Sequence, residues 1–377
     1  MAKRRPVRVT RDIVVIGTSA GGVQVLQELL RGLPDDFPGS IFIVAHLSPT
    51  RPSILPQILD RATDLPVEAA QNGGRIRRGR VYVCVPDYHL TLKRDHMVLS
   101  RRGPRENGFR PAVDPLFRTA ARAFGSRTVG LILTGGMDDG TLGLGIIKDF
   151  GGIAIAQDPE DAVFPNMPQS AIRHVNVDYV MPVASIPALL TRLASEPLPA
   201  AARAMANPRK DAQPDVAETG RAALLAGLDR GPPTNVTCPQ CGGSLWELND
   251  RKLARYECHV GHSYTAETLL EDKNGELEGA LWGGLRALEE GAELRRRMAR
   301  RLRGAPRSLW DMRGTYERDA QDAESRASVL RSLLGNGTEV KRLAGRTSAE
   351  SRALAAQGDE RRTTAASRQR HRRSKIQ

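Results

Sequence analysis

Ser19 stands in Gly17-Thr18-Ser19-Ala20-Gly21, a literal G-x-S-x-G, between the β-branched run Ile13 to Ile16 and the helical-looking segment Val23 to Leu30. Strand, sharp turn and helix are the setting of a nucleophile elbow. The glycines let the backbone turn tightly, and the hydroxyl is left at the strand's C-terminal end beside the helix's N–H groups. The same five residues also suit a structural or phosphate-cradling turn, but they form neither the G-K-[ST] of a P-loop nor a dinucleotide G-x-G-x-x-G. A hydroxyl nucleophile needs a base for its proton, and an imidazole base needs a carboxylate to fix its tautomer. His46 follows the apolar run Ile41 to Ala45, and Asp138 and Asp139 follow Leu131 to Thr134 through Gly135-Gly136-Met137. Alone, His46 reads as a satisfied strand-end histidine and the aspartate pair as a cap for the helix after it. Each placed at the end of a strand, the three read together as a hydrolytic triad. The order Ser…His…Asp differs from the Ser…Asp…His of α/β-hydrolases and excludes that fold.

A second constellation lies far downstream. Cys238-Pro239-Gln240-Cys241 is followed by Cys258-His259-Val260-Gly261-His262, the spacing of a zinc ribbon. Two thiolates on one knuckle, with a thiolate and an imidazole on another, suit tetrahedral Zn²⁺, with Cys238, Cys241, Cys258 and His262 as ligands and His259 as the alternative to His262. Four protein ligands leave no open position, so the metal is expected to be structural. The module is too small for a core of its own, so metal binding is expected to provide much of its folding free energy. The fourth cysteine, Cys84, sits in a strand-like run and reads as a small core hydrophobe.

The elements that must position these residues alternate in type from residue 12 to about 195. Strands are expected over Ile13 to Ile16, Ile41 to Ala45, Val81 to Val85, Thr128 to Leu133 and Ile153 to Ala156. Helices are expected over Val23 to Leu30, Ser53 to Arg61, Val113 to Phe124, Leu142 to Phe150 and Ile186 to Leu193. A hairpin joins His89 to Leu92 with Met97 to Ser100 around Lys93-Arg94-Asp95. Alternating strands and helices imply an α/β fold with a doubly wound, mainly parallel sheet, whose sites form beyond the strands' C-terminal ends. Past the cysteines, Leu277, Leu281, Leu285, Leu288 and Ala292 form one helical stripe, and Tyr316, Ala320, Ala323, Ala327, Leu330 and Leu334 another. Gly304-Ala305-Pro306 lies between them, so a helical hairpin is expected, packed on itself or docking a helical partner.

Six motifs then resemble, in order, those of CheB-type chemotaxis protein-glutamate methylesterases. They are Gly17-Thr18-Ser19-Ala20-Gly21-Gly22, Ala45-His46-Leu47-Ser48-Pro49, Val85-Pro86-Asp87-Tyr88-His89-Leu90, Arg110-Pro111-Ala112-Val113-Asp114, Leu133-Thr134-Gly135-Gly136-Met137-Asp138-Asp139-Gly140 and Asn166-Met167-Pro168. The resemblance covers roughly residues 10–195. It implies hydrolysis of γ-glutamyl methyl esters on receptor helices, with glutamine deamidation as a related activity. It places the nucleophile on Ser19, the base on His46 and the carboxylate on Asp139, with Asp138 as the less favoured candidate, and it implies no cofactor for catalysis. Backbone N–H groups near the elbow and the Gly136–Met137 turn would hold the oxyanion. Two departures stand out. The family's chemotaxis members carry an N-terminal phosphoacceptor receiver, whereas the catalytic-like segment here starts with the chain, so phosphorylation control of the usual kind is not expected. The family's T-G-M-G-x-D-G is replaced here by Thr134-Gly135-Gly136-Met137-Asp138-Asp139-Gly140, with the methionine moved by one place. The chain also resembles a subgroup of stand-alone bacterial proteins of this type that carry a similar Cys-rich tail module.

The domains expected are a catalytic domain (10–195), a linker (196–235) with a short helix at Arg221 to Leu228, a zinc-ribbon-like module (236–270), a helical hairpin (271–335) and a basic disordered tail (336–377). The net charge of +13 resides in the ends: residues 1–11 carry five basic and no acidic side chains, residues 341–377 eleven and three. Basicity confined to tails argues against a folded nucleic-acid face. No apolar run approaches a membrane span, and no h-region follows the basic start, so a cytoplasmic protein without membrane insertion is expected. The leading reading is a serine hydrolase acting on methylated chemoreceptor-like proteins. The alternatives are an esterase for another substrate, or a non-catalytic adaptor that binds protein or nucleic acid through the zinc module and tails.

Overall fold

Four consecutive β-branched residues, Ile13 to Ile16, can be buried only if both sides of their strand are covered. In the computed structural model, which describes residues 9–48, 52–93, 97–101, 103–205, 233–250, 253–304, 306–307 and 310–335, they lie at the centre of a parallel sheet. The elements run β1 (Ile13–Thr18), α1 (Gly22–Arg31), β2 (Ser40–Ala45), α2 (Leu55–Asp60), β3 (Val67–Ala69), β4 (Gly74–Arg75), β5 (Arg80–Val83), β6 (His89–Leu92) and β7 (Met97–Arg101). They continue with α3 (Val113–Phe124), β8 (Thr128–Ile132), α4 (Thr141–Asp149), β9 (Ile153–Gln157), α5 (Asn166–His174), β10 (Tyr179–Met181), α6 (Ile186–Ser195) and α7 (Ala200–Met205). Seven strands pair in the order β10-β9-β8-β1-β2-β5-β3, all parallel, and β4-β7-β6 make a small antiparallel sheet beside them.

Alternation along β1 divides the core in two. Val14 and Ile16 pack with Leu26, Leu29 and Leu30 of α1 and Leu189 and Leu190 of α6, while Ile13 and Val15 pack with Phe117 of α3 and Leu144 and Ile147 of α4. This is the doubly wound architecture expected. Neighbouring β1 and β8 send their following helices to opposite faces, so their loops diverge and leave a crevice at the C-terminal ends, the switch point of such sheets. The floor of that crevice is stitched by Ser19 N–H and Thr18 Oγ1 donating to Thr134 O, at 3.0 and 2.8 Å.

The chain then forms β11 (Pro233–Thr237), β12 (Ser244–Asp250), β13 (Leu253–Cys258) and β14 (Ser263–Thr265), an antiparallel sheet of four strands. Its core is small: Cys238, Leu245, Cys258, Tyr264 and Leu269. Two compact units result, Met1–Glu271 and Asp272–Gln377. The second consists of most of α8 (Ala266–Arg301) together with α9 (Trp310–Gly335), an α-hairpin with Ala292, Ala320 and Ala323 buried between its helices and Arg296 paired to Glu324 at 2.6 Å. Leu285 is buried as its stripe requires, but Leu277, earlier in the same stripe, is about half exposed.

The stretch read as linker begins differently from that reading. The alanines after Pro199 form α7, as their helix propensity favours; Leu198 is buried and its N–H donates to Val9 O, and Ser126 Oγ donates to Ala202 O. The chain therefore stays packed on the sheet to about residue 205. The short strands β3 and β10 and the helix α5 were not anticipated. The tip Arg94-Asp95, the helix at Arg221 to Leu228 and the tail beyond Gly335 lie outside the described residues.

Candidate active site

Ser19 leaves β1 into a turn closed by Gly21, whose φ of 77° lies in the left-handed region. A Cβ on Gly22 would come within 2.3 Å of Thr18 Oγ1, and one on Gly135 within 2.9 Å of Ser19 Cβ. These two glycines let the elbow fold back on its strand and the β8 loop close on the serine. His46 leaves β2 with its ring stacked on Phe109, centroids 3.6 Å apart and planes inclined by 7°. Asp139 leaves β8 and lies against the first turn of α3, where Val113 N–H donates to its Oδ2 at 2.7 Å and Asp114 N–H to its Oδ1 at 3.3 Å. Val113 reaches this position because Gly17 and Gly140 carry no side chain; a Cβ on either would come within 2.6 Å of Val113 Cγ1.

The three side chains meet. His46 Nδ1 is 3.0 Å from Ser19 Oγ, and His46 Nε2 is 2.8 Å from Asp139 Oδ2. An ionised carboxylate only accepts, so Nε2 carries the proton and donates to Asp139. Nδ1 is then the bare nitrogen, facing the serine hydroxyl as acceptor. The His46 side chain is 6% exposed and that of Asp139 fully buried, whereas Ser19 is half-buried at the crevice mouth.

Burial would raise the Asp139 carboxyl. The hydrogen bond and charge of His46, the Val113 N–H and the Asn107 amide outweigh it and hold the carboxyl below the usual carboxylate range. The positive end of α3 acts in the same direction. Asp114 has the opposite fate: burial and the charge of Asp139 push it up to about 8, although Gly143 N–H donates to it at 2.7 Å. Of two neighbouring carboxyls, the one bonded to His46 keeps the charge. Asp138 turns away from His46; its Oδ1 accepts the Thr265 and Thr268 hydroxyls at 2.9 and 3.1 Å, and burial pushes it up to about 6. The structure thus joins Asp139, not Asp138, to His46.

Of the N–H groups near the elbow, those of Ser19 and Gly135 are engaged by the carbonyls of Thr134 and Phe164, at 3.0 and 2.9 Å. The Gly136–Met137 turn follows Gly135 directly, with Met137 at a φ of 65°.

Two neighbours of the triad were not singled out from sequence. Asn107 Nδ2 donates to Asp139 Oδ1 at 2.9 Å, and Phe109 supplies the surface under His46. Their signal was the Asn107-Gly108 dipeptide. Glu106 and Phe109 exchange backbone bonds of 3.1 and 2.9 Å around it, with φ of 51° at Asn107 and 78° at Gly108, the two-residue turn that Asn-Gly favours.

Cys238, Cys241, Cys258 and His262 form one cluster, their ligand atoms all within 4.8 Å of one another. His262 Nδ1 lies 3.6 and 3.5 Å from the sulfurs of Cys238 and Cys258, and the sulfurs of Cys241 and Cys258 are 3.7 Å apart. Metal–sulfur and metal–nitrogen bonds of about 2.3 and 2.0 Å in a tetrahedron require separations of roughly 3.5–3.8 Å, so the cluster can hold a metal ion. His259 is exposed, beside Gly243, and is not in the cluster. Cys84 is buried in the core, its thiol pushed up to about 12 by burial.

Residues 14–190 match the family model described as CheB methylesterase. A relative from Leptospira interrogans, named for protein-glutamate methylesterase and protein-glutamine glutaminase, is 38% identical over 182 residues, covering 48% of this chain and 94% of the relative. The protein-glutamate methylesterase/protein-glutamine glutaminase of Pyrococcus horikoshii is 38% identical over 188 residues, 49% of this chain and 51% of that one. The chain therefore spans about half the length of that relative. The crystal structure of the Thermotoga maritima CheB methylesterase catalytic domain is similar over 48% of this chain and 98% of that one, at 38% identity and a TM-score of 0.47.

Proposed function

The chain belongs to the CheB methylesterase family, and we propose that it is a serine esterase that removes methyl groups from glutamyl esters on a receptor-like protein, using Ser19, His46 and Asp139. The observation that carries this reading is the continuous hydrogen-bond path from Ser19 Oγ through His46 to Asp139. As Ser19 Oγ attacks the ester carbonyl, its proton passes to His46 Nδ1, and Asp139 stabilises the imidazolium through Nε2–H. The tetrahedral oxyanion is held by backbone N–H groups of the Gly136–Met137 turn, where removal of one such donor typically costs about 10²–10³ in rate. Collapse expels methoxide, which leaves as methanol with the proton from His46. Water, deprotonated by His46, then releases the glutamate. With a glutamine side chain the same acyl transfer expels ammonia, which accounts for deamidation as the companion activity. Methanol release from a methylated receptor fragment, compared between the parent and Ser19→Ala, tests the assignment: equal rates sink it.

The metal of the Cys238, Cys241, Cys258 and His262 cluster is proposed to be zinc, bound structurally, since three thiolates and an imidazole leave no position for substrate. Free thiolate ligands persist in a reducing compartment, so the proposed location is the cytoplasm. None of the described helices is long and apolar enough to cross a membrane. The half-exposed Leu277 and Trp282 of α8 are proposed to meet a helical partner.

A further inference from the structure

We infer that Asn107 is a positioning residue for the triad carboxylate, and that the metal-bearing ribbon is what holds Asn107 in place, so that metal occupancy sets turnover at a site containing no metal. The inference rests on the esterase reading and adds a control point to it.

Asn107 is 3% exposed, and both ends of its side-chain amide and its backbone N–H are engaged. Its Nδ2 donates to Asp139 Oδ1 at 2.9 Å and to Asp114 Oδ2 at 3.1 Å, which uses both amide hydrogens. Its Oδ1 accepts Thr265 N–H at 3.1 Å and lies 3.3 Å from Thr268 Oγ1, whose one hydrogen it shares with Asp138, and its own N–H donates to Ser263 O at 2.7 Å. One side chain thus faces the catalytic carboxylate with its donor end and the ribbon with its acceptor end. The turn carrying it is anchored from beneath, where Glu106 takes both guanidinium arms of the buried Arg118 at 2.8 Å. Ribbon and rim meet a second time through the Thr265 and Thr268 hydroxyls on Asp138.

The ribbon side of the contact begins at the metal cluster. Ser263, Thr265 and Thr268 follow His262 directly, and Cys258 N–H closes the knuckle on His262 O at 3.0 Å. A module with so small a core keeps β14 in register only while its ligands are joined. Without the metal, Asn107 loses three partners at once. Its amide is then free to turn, and Asp139 loses the donor that fixes its plane toward His46 Nε2. A hydrogen bond to a charged group contributes enough to alter turnover by about ten- to hundred-fold when it is removed.

The test uses the full chain and a methylated receptor fragment. Asn107→Asp keeps the shape, the tolerance of positive φ and the acceptor facing Thr265, but replaces the donor with a carboxylate. Around it stand Asp139, Asp138, Asp114, Glu106, Arg118 and His46. Loss of kcat by about ten- to hundred-fold with KM within about twofold is expected. The ratio of variant to parent kcat should rise as pH falls, because the introduced carboxyl can donate again once it is protonated. Thr268→Val, which removes the ribbon hydroxyl from Asn107 Oδ1 and Asp138 Oδ1 while leaving Asn107 itself intact, should lower kcat several-fold, and it serves if the first variant does not fold. A readout independent of turnover is the downfield N–H resonance of His46 in histidine-labelled protein. It should move in both variants and on removal of zinc by a chelator, then return when zinc is restored. An active parent whose kcat, pH ratio and resonance are indifferent to these changes overturns the inference alone. A parent that releases no methanol overturns the esterase reading and this inference with it.

Discussion

The two clusters of reactive side chains in this chain are assembled by opposite means. Ser19, His46 and Asp139 are separated by 27 and 93 residues and meet because three strands of one sheet end at the same edge. Cys238, Cys241, Cys258 and His262 fall within a few turns of one another, in a module whose buried core is five residues. The first site rests on apolar burial in a large core; the second, on the proposal that its cluster holds a metal, is expected to depend on that ligand. A long-range site inherits the stability of the core beneath it, whereas a local one must be completed from outside.

The largest expected effect separates them directly. Stripping the metal removes binding free energy of about 10 kcal/mol or more from the ribbon. Amide protection in β13 and β14 should be lost while that in β1, β2 and β8 persists, as hydrogen exchange of the full chain would reveal. Equal loss in both regions would dissolve the distinction. Next comes the triad: Ser19→Ala should lower methanol release about 10⁶-fold with the melting temperature unchanged. Asp139→Asn should cost about 10⁴, because an amide can present the wrong partner to Nε2 and reverse the tautomer. Asp138→Asn, whose side chain faces the ribbon hydroxyls, should cost less than about tenfold.

Asp138 also reports on the joint between the two regions through pH. Its carboxyl is raised from an ordinary 3.8 to about 6, chiefly by burial, so the folded state binds the proton more tightly than the unfolded one. Its stabilising proton is fully present below about pH 4 and is lost as pH rises through 6. The parent should therefore lose up to about 3 kcal/mol across that window relative to Asp138→Asn. Urea midpoints of the two proteins at pH 4, 5, 6 and 7 measure it, and parallel curves would mean that Asp138 is not buried against the ribbon.

The contrast also explains what could be read from the chain. Each triad residue follows a run of apolar strand residues, and in a parallel sheet that alone places it at the productive edge. The clustering of Cys238, Cys241, Cys258 and His262 was legible for a different reason, since thiolate and imidazole spacing is local. What joins the two sites was not legible. Asn107-Gly108 announces a turn, but nothing near it says that the amide will face Asp139, and Thr265 and Thr268 look like ordinary strand-end and helix-start residues. Their contacts depend on where the four-stranded ribbon packs within the compact unit that also holds the parallel sheet. The helix α5 was missed because its polar residues obscure the period, and α7 because a proline-rich neighbourhood resembled a linker.

The smallest expected effect comes from adjacent glycines at the rim. A Cβ on Gly135 would strike Met167 Sδ at 2.1 Å and Ser19 Cβ at 2.9 Å, whereas one on Gly136 would meet nothing within 4 Å. Gly135→Ala should therefore destabilise by about 1–3 kcal/mol and displace the nucleophile. Gly136→Ala should change stability by no more than about 0.5 kcal/mol, since an open surface position imposes no packing penalty. Its N–H is retained, so methanol release should stay within a few-fold if that N–H serves the oxyanion. Thermal melts and kcat on the two alanine variants decide the matter. A large loss of activity in Gly136→Ala with unchanged stability would show that the oxyanion site needs the backbone freedom of glycine there, and that even the rim built by the core is completed by the substrate it receives.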